Sequence, residues 1–183
     1  MVDKLNKIIY GCREGDPRAQ KELYEMFKTK MFGICLRYAN DYDDAQDILQ
    51  DSFLKVYEKV GQFKFKGSFE GWIRKIIVNT ALERFRTKYQ MVNINDNIKE
   101  VDRKASNDIL ADISVKELIK FVQELSPRYR MVFNLYAVEG YTHKEISNML
   151  GISEGTSKSN LSRARAILQE KINKFYKTFI QIN

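Results

Sequence analysis

The sequence predicts an all-α protein: two small helical domains, residues 1–90 and 114–183, joined by a flexible linker at 91–113, the second domain a helix-turn-helix. Three observations predict it. No stretch sustains the apolar–polar alternation of a half-buried strand, whereas apolar residues recur at helical spacing along most of the chain. The only two prolines, Pro17 and Pro127, each follow a capping residue, Asp16 and Ser126, and so take the first-turn position that needs no N–H. From Tyr141 the chain reads YTHKEISNMLGISEGTSKSNLSRARAILQEKINKF, two capped helical patterns around a turn glycine.

The totals bound the function. The 183 residues suffice for one large or two small domains, and 44% hydrophobic residues suffice for packed cores. A net charge of +7 favours a polyanionic partner, with nucleic acid the first candidate. No apolar run approaches a membrane span, and MVDKLNKIIYGCREG lacks a signal-peptide core, so membrane insertion is not expected and a cytoplasmic location is. Cys12 and Cys35 have no metal-ligand spacing, and His143 is the sole histidine; no metal or cofactor is expected. Both cysteines read as small buried hydrophobes in a reducing compartment.

In chain order, residues 3–13 form a short helix with Leu5, Ile8 and Ile9 inward. Gly15 breaks it. Asp16 and Pro17 open the next helix, running to about Ala39, with a stripe of Leu23, Phe27, Met31, Ile34 and Tyr38. A third helix from Asn40 or Asp41 to Val60 buries Ala45, Ile48, Leu49, Phe53, Val56 and Val60. Six acids against two lysines give it a net charge of −4 inside a basic protein. Those acids are either a solvated face that suits the helix dipole or a protein-binding face centred on Leu54 and Gln50.

The stretch from Gln62 to Lys88 reverses the sign, with seven basic residues and two acids. Its loop alternates rings and cations, Phe63, Lys64, Phe65, Lys66, a pattern suited to unstacked bases and their phosphates. Ser68 caps a helix that buries Phe69, Trp72, Ile73 and Ile76 and leaves Arg74, Lys75, Asn79, Arg84, Arg86 and Lys88 outside. Trp72 reads as core. Tyr89 to Ile113 is asparagine-rich, weakly periodic and linker-like. Ser114 and Glu117 then make a capping box, and Leu118, Phe121, Val122 and Leu125 pack on the helix that starts at Ser126 and Pro127.

In the C-terminal motif Thr142 and Glu145 form a second capping box, Ile146 and Leu150 share a face, Gly151 turns the chain, and Ser153 caps a longer helix. Ser157, Leu161, Ala164 and Leu168 face inward; the small Ser157 and Ala164 let the helices approach. Lys158, Ser159, Ser162 and Arg163 face outward, the residue types that touch base edges and phosphates.

Taken together, DYDDAQDILQDSFLKVYEKVGQF, GSFEGWIRKIIVNTALERFR and LSPRYRMVFNLYAVEGYTHKEISNMLGISEGTSKSNLSRAR closely resemble the bacterial sigma factors of the extracytoplasmic-function (ECF) group. The resemblance implies a non-enzymatic initiation factor that binds core RNA polymerase and reads promoter DNA, with an anti-sigma factor as a further partner. It implies polymerase contact by Asp44, Asp47, Gln50, Asp51 and Leu54. It implies −10 recognition and melting by Phe63, Lys64, Phe65, Lys66, Arg74, Lys75, Asn79 and Arg86, with a non-template base flipped into a pocket. It implies −35 recognition by Thr156, Lys158, Ser159, Ser162, Arg163 and Arg165. Two residues depart from the commonest pattern: Ser157 stands where an apolar residue is usual, and Asn160 where arginine is usual. The competing readings are a helix-turn-helix regulator that never joins polymerase, which gives the acidic helix no use, and a small recombinase, which needs an α/β catalytic domain.

Overall fold

In a computed structural model the described residues are 2–90 and 114–182, with side chains at 4–88 and 114–176. The expected linker, 91–113, lies outside the described residues. All described secondary structure is helical. The chain divides into two compact units, Met1–Glu83 and Arg84–Asn183.

The first unit contains α1 (Val2–Arg13), α2 (Pro17–Tyr38), α3 (Tyr42–Lys59) and most of α4 (Phe69–Gln90), with a 3-10 turn at Val60–Gln62. Asp16 caps α2 as expected, its carboxylate accepting the Arg18 N–H at 2.9 Å. The stripe of Leu23, Phe27, Met31, Ile34 and Tyr38 is buried throughout. Each such side chain contributes roughly 1.5–3 kcal/mol through burial. Ile8, Ile9 and Cys12 of α1 pack inward, while Leu5 is only half-buried. Gly11 is required where α1 meets α2: a Cβ there would lie 2.6 Å from the Cβ of Ala19. Phe69 at the start of α4 meets Phe27 edge-on at 5.9 Å, and Lys30 bonds Glu70 at 3.0 Å.

The second unit takes in the end of α4 and is otherwise built from α5 (Val115–Gln123), α6 (Pro127–Phe133), α7 (His143–Leu150) and α8 (Glu154–Ile182). Both predicted capping boxes are present, at Ser114/Glu117 and Thr142/Glu145. Leu125, Ala164 and Leu168 form a core on which Phe121, Val122, Tyr129, Phe133 and Ile167 pack.

Three expectations are corrected. Leu118 is 41% exposed rather than packed inward, because α5 is short and turns only part of its apolar face onto the core. Ser126 makes no side-chain capping bond; only its carbonyl, accepting from Arg130 N at 2.9 Å, starts α6. The helix after Pro127 does not run on as α: from Asn134 to Val138 it widens to a π turn, closed by Glu139 N donating to Asn134 O at 3.0 Å. No described helix is long and apolar enough to cross a membrane.

Candidate nucleic-acid interface

Local chemistry sets the geometry of the helix-turn-helix. The Thr142 hydroxyl accepts the Glu145 N–H at 3.2 Å, and the Glu145 carboxylate accepts the Thr142 N–H at 2.8 Å and its hydroxyl at 2.7 Å. Those bonds hold the Glu145 carboxyl below the usual glutamate range, the backbone bond contributing most. Gly151 ends α7 in the left-handed region (φ 66°, ψ 35°), which a residue with a Cβ adopts only at a cost. Ser153 caps α8, its hydroxyl accepting Thr156 N–H at 3.0 Å.

The inward stripe Ser157, Leu161, Ala164 and Leu168 is buried as predicted. Ser157 is fully buried, yet its hydroxyl lies 2.9 Å from His143 Nδ1. The serine in place of an apolar residue is therefore a satisfied polar group. The ring of His143 stacks on Tyr136 at 4.5 Å, and the Arg165 guanidinium sits 5.6 Å from the Tyr136 centroid. Asn160 is also buried, so its position bears on core packing rather than on phosphate affinity.

Thr156, Lys158, Ser159, Ser162, Arg163 and Arg165 are all exposed. Beyond Thr156, the other five fall into two rows. Lys158, Ser162 and Arg165 follow at i, i+4 and i+7; Ser159 and Arg163 are one turn apart beside them. The rows differ in freedom. Arg163 donates to the Tyr129 hydroxyl at 3.2 Å, and the Thr156 and Ser159 hydroxyls bond within the first turns of α8, to Ser153 Oγ and to Thr156 O. Lys158 makes no ion pair among the described residues.

In the first unit the loop between α3 and α4 carries the other basic face. Phe63 is 5% exposed, locked against Phe69 at 4.9 Å and Trp72 at 5.7 Å. Its burial leaves no face for a base, so it supports the loop from beneath. Phe65 is the loop's exposed ring and the single described non-glycine residue with positive φ, 55°. That conformation costs on the order of 1 kcal/mol and persists only where its surroundings hold it. Lys64 and Lys66 flank it, exposed. On α4, Lys75 and Asn79 are exposed one turn apart and Arg74 is half-buried; Arg86, further along in the second unit, is exposed and donates from Nε to the Met149 carbonyl at 2.7 Å. Trp72 is half-buried and stacked on Phe69 at 5.4 Å.

The acidic helix α3 separates into two roles. Asp41 caps it, accepting Asp44 N–H at 2.9 Å. The Asp44 carboxylate in turn accepts the Asn40 backbone and side-chain N–H groups, each at 2.8 Å. Asp44 is therefore part of the helix start. Asp47, Gln50 and Leu54 are exposed on one face with the half-buried Asp51, and Leu54 leaves 58% of its surface to solvent.

Against known proteins, residues 23–90 match the family model described as sigma-70 region 2, and residues 116–168 match sigma-70, region 4. The two matches together take in more than half of the chain. Curated relatives extend over nearly all of it. The chain is 25% identical to ECF RNA polymerase sigma factor SigW of Bacillus subtilis (strain 168), over 92% of this chain and 96% of that one. It is 23% identical to the ECF RNA polymerase sigma-E factor of Haemophilus influenzae, over 90% and 93%. It is 28% identical to SigM of Mycobacterium tuberculosis, over 84% and 77%. The chain belongs to the ECF sigma factors. Among solved structures its fold is similar to that of the sigma factor RpoE from Bartonella quintana, solved with the anti-sigma factor NepR: TM-score 0.52, 22% identity, 84% of this chain and 96% of that one.

This sigma factor is a non-enzymatic protein that directs promoter-specific transcription initiation, binding core RNA polymerase and promoter DNA. The region 2 match takes in the acidic helix and the aromatic loop, and the region 4 match takes in the helix-turn-helix. Helix α1 precedes both. Sequence reasoning missed Tyr10 and Arg13 of α1, which meet the loop, and His143, which answers Ser157. A polar residue on an otherwise apolar stripe was the signal for the second pair; nothing local marked the first.

Proposed function

We propose a division of labour among three surfaces of this sigma factor. The face of α3 bearing Asp47, Gln50, Asp51 and Leu54 docks on core RNA polymerase. The Lys64–Lys66 loop, with Lys75, Asn79 and Arg86 of α4, engages the −10 element and its opened strand. The Lys158, Ser162 and Arg165 row of α8 enters the major groove at −35, with Ser159 and Arg163 beside it. Residues 1–90 and 114–183 act as separate reading modules, and two modules bound at once add avidity when polymerase sets their spacing.

The observation that carries this reading is the placement of Leu54. A leucine left 58% exposed at the centre of an acidic face is a poor solvated surface and a good protein-binding one. Opposite charge on the loop and on α8 suits phosphates instead. The protein works in the cytoplasm, and an anti-sigma factor covers its surfaces when transcription is not required; RpoE of Bartonella quintana was solved in that kind of complex.

Reconstituted transcription with core polymerase on a randomised promoter library tests the whole assignment. Defined start sites with two enriched elements are expected. Asp47→Lys with Asp51→Lys should abolish co-purification with core polymerase and leave weak DNA binding intact. Retained co-purification would remove α3 from the polymerase contact.

A further inference from the structure

Helix α1 reaches the aromatic loop through two side chains. The Tyr10 ring stacks on Phe65, centroids 5.3 Å apart and planes 30° from parallel. The Arg13 guanidinium lies 4.9 Å from the Phe65 centroid and 5.3 Å from that of Tyr10, and it donates to the Phe63 carbonyl. Tyr10 is 55% exposed and Phe65 37%. Gly11, between the two α1 residues, lies so close to α2 that a Cβ there would stand 2.6 Å from the Ala19 Cβ. The left-handed backbone at Phe65 thus has a visible restraint: one cation bonded to the loop backbone and set against both rings.

We infer that Tyr10 and Phe65 form a single stacking ledge for one unpaired base of the opened strand, with Arg13 as the residue that positions Phe65. The inference rests on the loop's assignment to the −10 strand and deepens it. Stacked rings that keep this much surface in water are built to receive a third planar group. Lys64 and Lys66, exposed and without ion pairs among the described residues, supply phosphate contacts on either side of that base. The ledge does not discriminate strongly by hydrogen bonding; it tolerates any base with a π face and leaves specificity to neighbouring polar groups.

The test uses holoenzyme reconstituted from core polymerase and the full chain. The probe is a fork-junction promoter with 2-aminopurine at successive −10 positions of the non-template overhang. One position should be quenched on binding. Tyr10→Leu should relieve that quench and weaken fork-junction binding roughly tenfold or more, without changing the salt slope. Tyr10→Phe should bind as the wild type does. Because Tyr10 is largely exposed, Tyr10→Leu should melt close to the wild-type temperature. Arg13→Gln should relieve the same quench, yet add little to the loss already caused by Phe65→Leu. Additive losses would remove the positioning role. If Phe65→Leu loses binding and Tyr10→Leu does not, the ledge is wrong and the loop assignment stands. If neither variant changes binding or quench, both are wrong.

Discussion

His143 Nδ1 and Ser157 Oγ meet at 2.9 Å, joining the first residue of α7 to the fully buried face of α8. The pair replaces an apolar contact by a hydrogen bond, and it brings the imidazole flat against Tyr136. Ser157→Ala leaves the imidazole nitrogen without its partner, so the second unit should lose about 1 kcal/mol. Ser157→Leu should cost more, since a larger side chain must displace the ring. Urea midpoints check both. In a double-mutant cycle with His143→Phe, the Ser157→Ala penalty should shrink, because the partner is already gone.

Gly11→Ala sets two opposed effects against each other. Alanine improves the intrinsic helix propensity of α1 by about 1 kcal/mol. The new Cβ, however, meets the Ala19 Cβ at 2.6 Å, and neither methyl can swing away. Overpacking at that separation costs about 1–3 kcal/mol, so net destabilisation is expected. Ala19→Gly in the same chain should recover most of it. Thermal melts of the single and double variants check the sign.

The two thiols should be unreactive in the folded protein. Burial pushes Cys12 up to about 11 and Cys35 up to about 12, the Asp16 carboxylate adding to the first. Since the thiolate is the nucleophile, neither group offers one near neutral pH. Native protein should leave a disulfide reagent unconsumed for as long as it stays folded, and urea should release both thiols together with loss of helix. Fast labelling of either residue under native conditions would contradict this.

Glu145 gives the helix-turn-helix an acid-dependent stability. Its carboxyl titrates below the glutamate range because the charged form accepts the Thr142 N–H and hydroxyl. The unfolded chain therefore binds a proton at higher pH than the folded one. The contribution is complete above the ordinary glutamate value and is lost as pH falls through the depressed one. Glu145→Gln keeps an acceptor for the capping box without the charge. Urea midpoints of wild type and variant should differ near pH 6 and draw together progressively as pH falls below the ordinary glutamate range.

Much of this architecture was readable because helical periodicity and capping are local. The Leu23–Tyr38 stripe, the two capping boxes, Gly151 and the Leu161–Leu168 face follow from spacing within one or two turns. What was not readable depends on which of several like residues the packing selects, even where the partner is only four to nine residues away. Phe63 and Phe65 sit two residues apart in one aromatic–cationic pattern, and only the packing of Phe69 and Trp72 puts the first inside. Asp44 looks like any acid of α3 until Asn40 folds back onto it. Arg130, buried with its guanidinium on Gln123 O at 2.8 Å, resembles the exposed arginines around it in sequence. The π turn at Asn134 leaves no compositional mark at all.

The two rows on α8 lead to unequal consequences for −35 binding. Lys158 extends from the exposed face without a carboxylate partner among the described residues, so its ammonium is available to DNA from the outset. Arg163 must first give up the Tyr129 hydroxyl at 3.2 Å, or contact DNA while keeping it. Lys158→Ala should therefore weaken −35 duplex binding by roughly 1–3 kcal/mol if it reads a base edge. Arg163→Ala should cost less, and Tyr129→Phe should leave the Arg163 contribution intact or raise it. Binding to the selected −35 duplex and to single-substituted duplexes separates the roles. A loss confined to one base pair marks base readout, and an equal loss on every sequence with a shallower salt slope marks a phosphate contact. An Arg163→Ala loss exceeding that of Lys158→Ala would reverse the order of the rows and make the Tyr129 bond a device that aims Arg163 at the DNA.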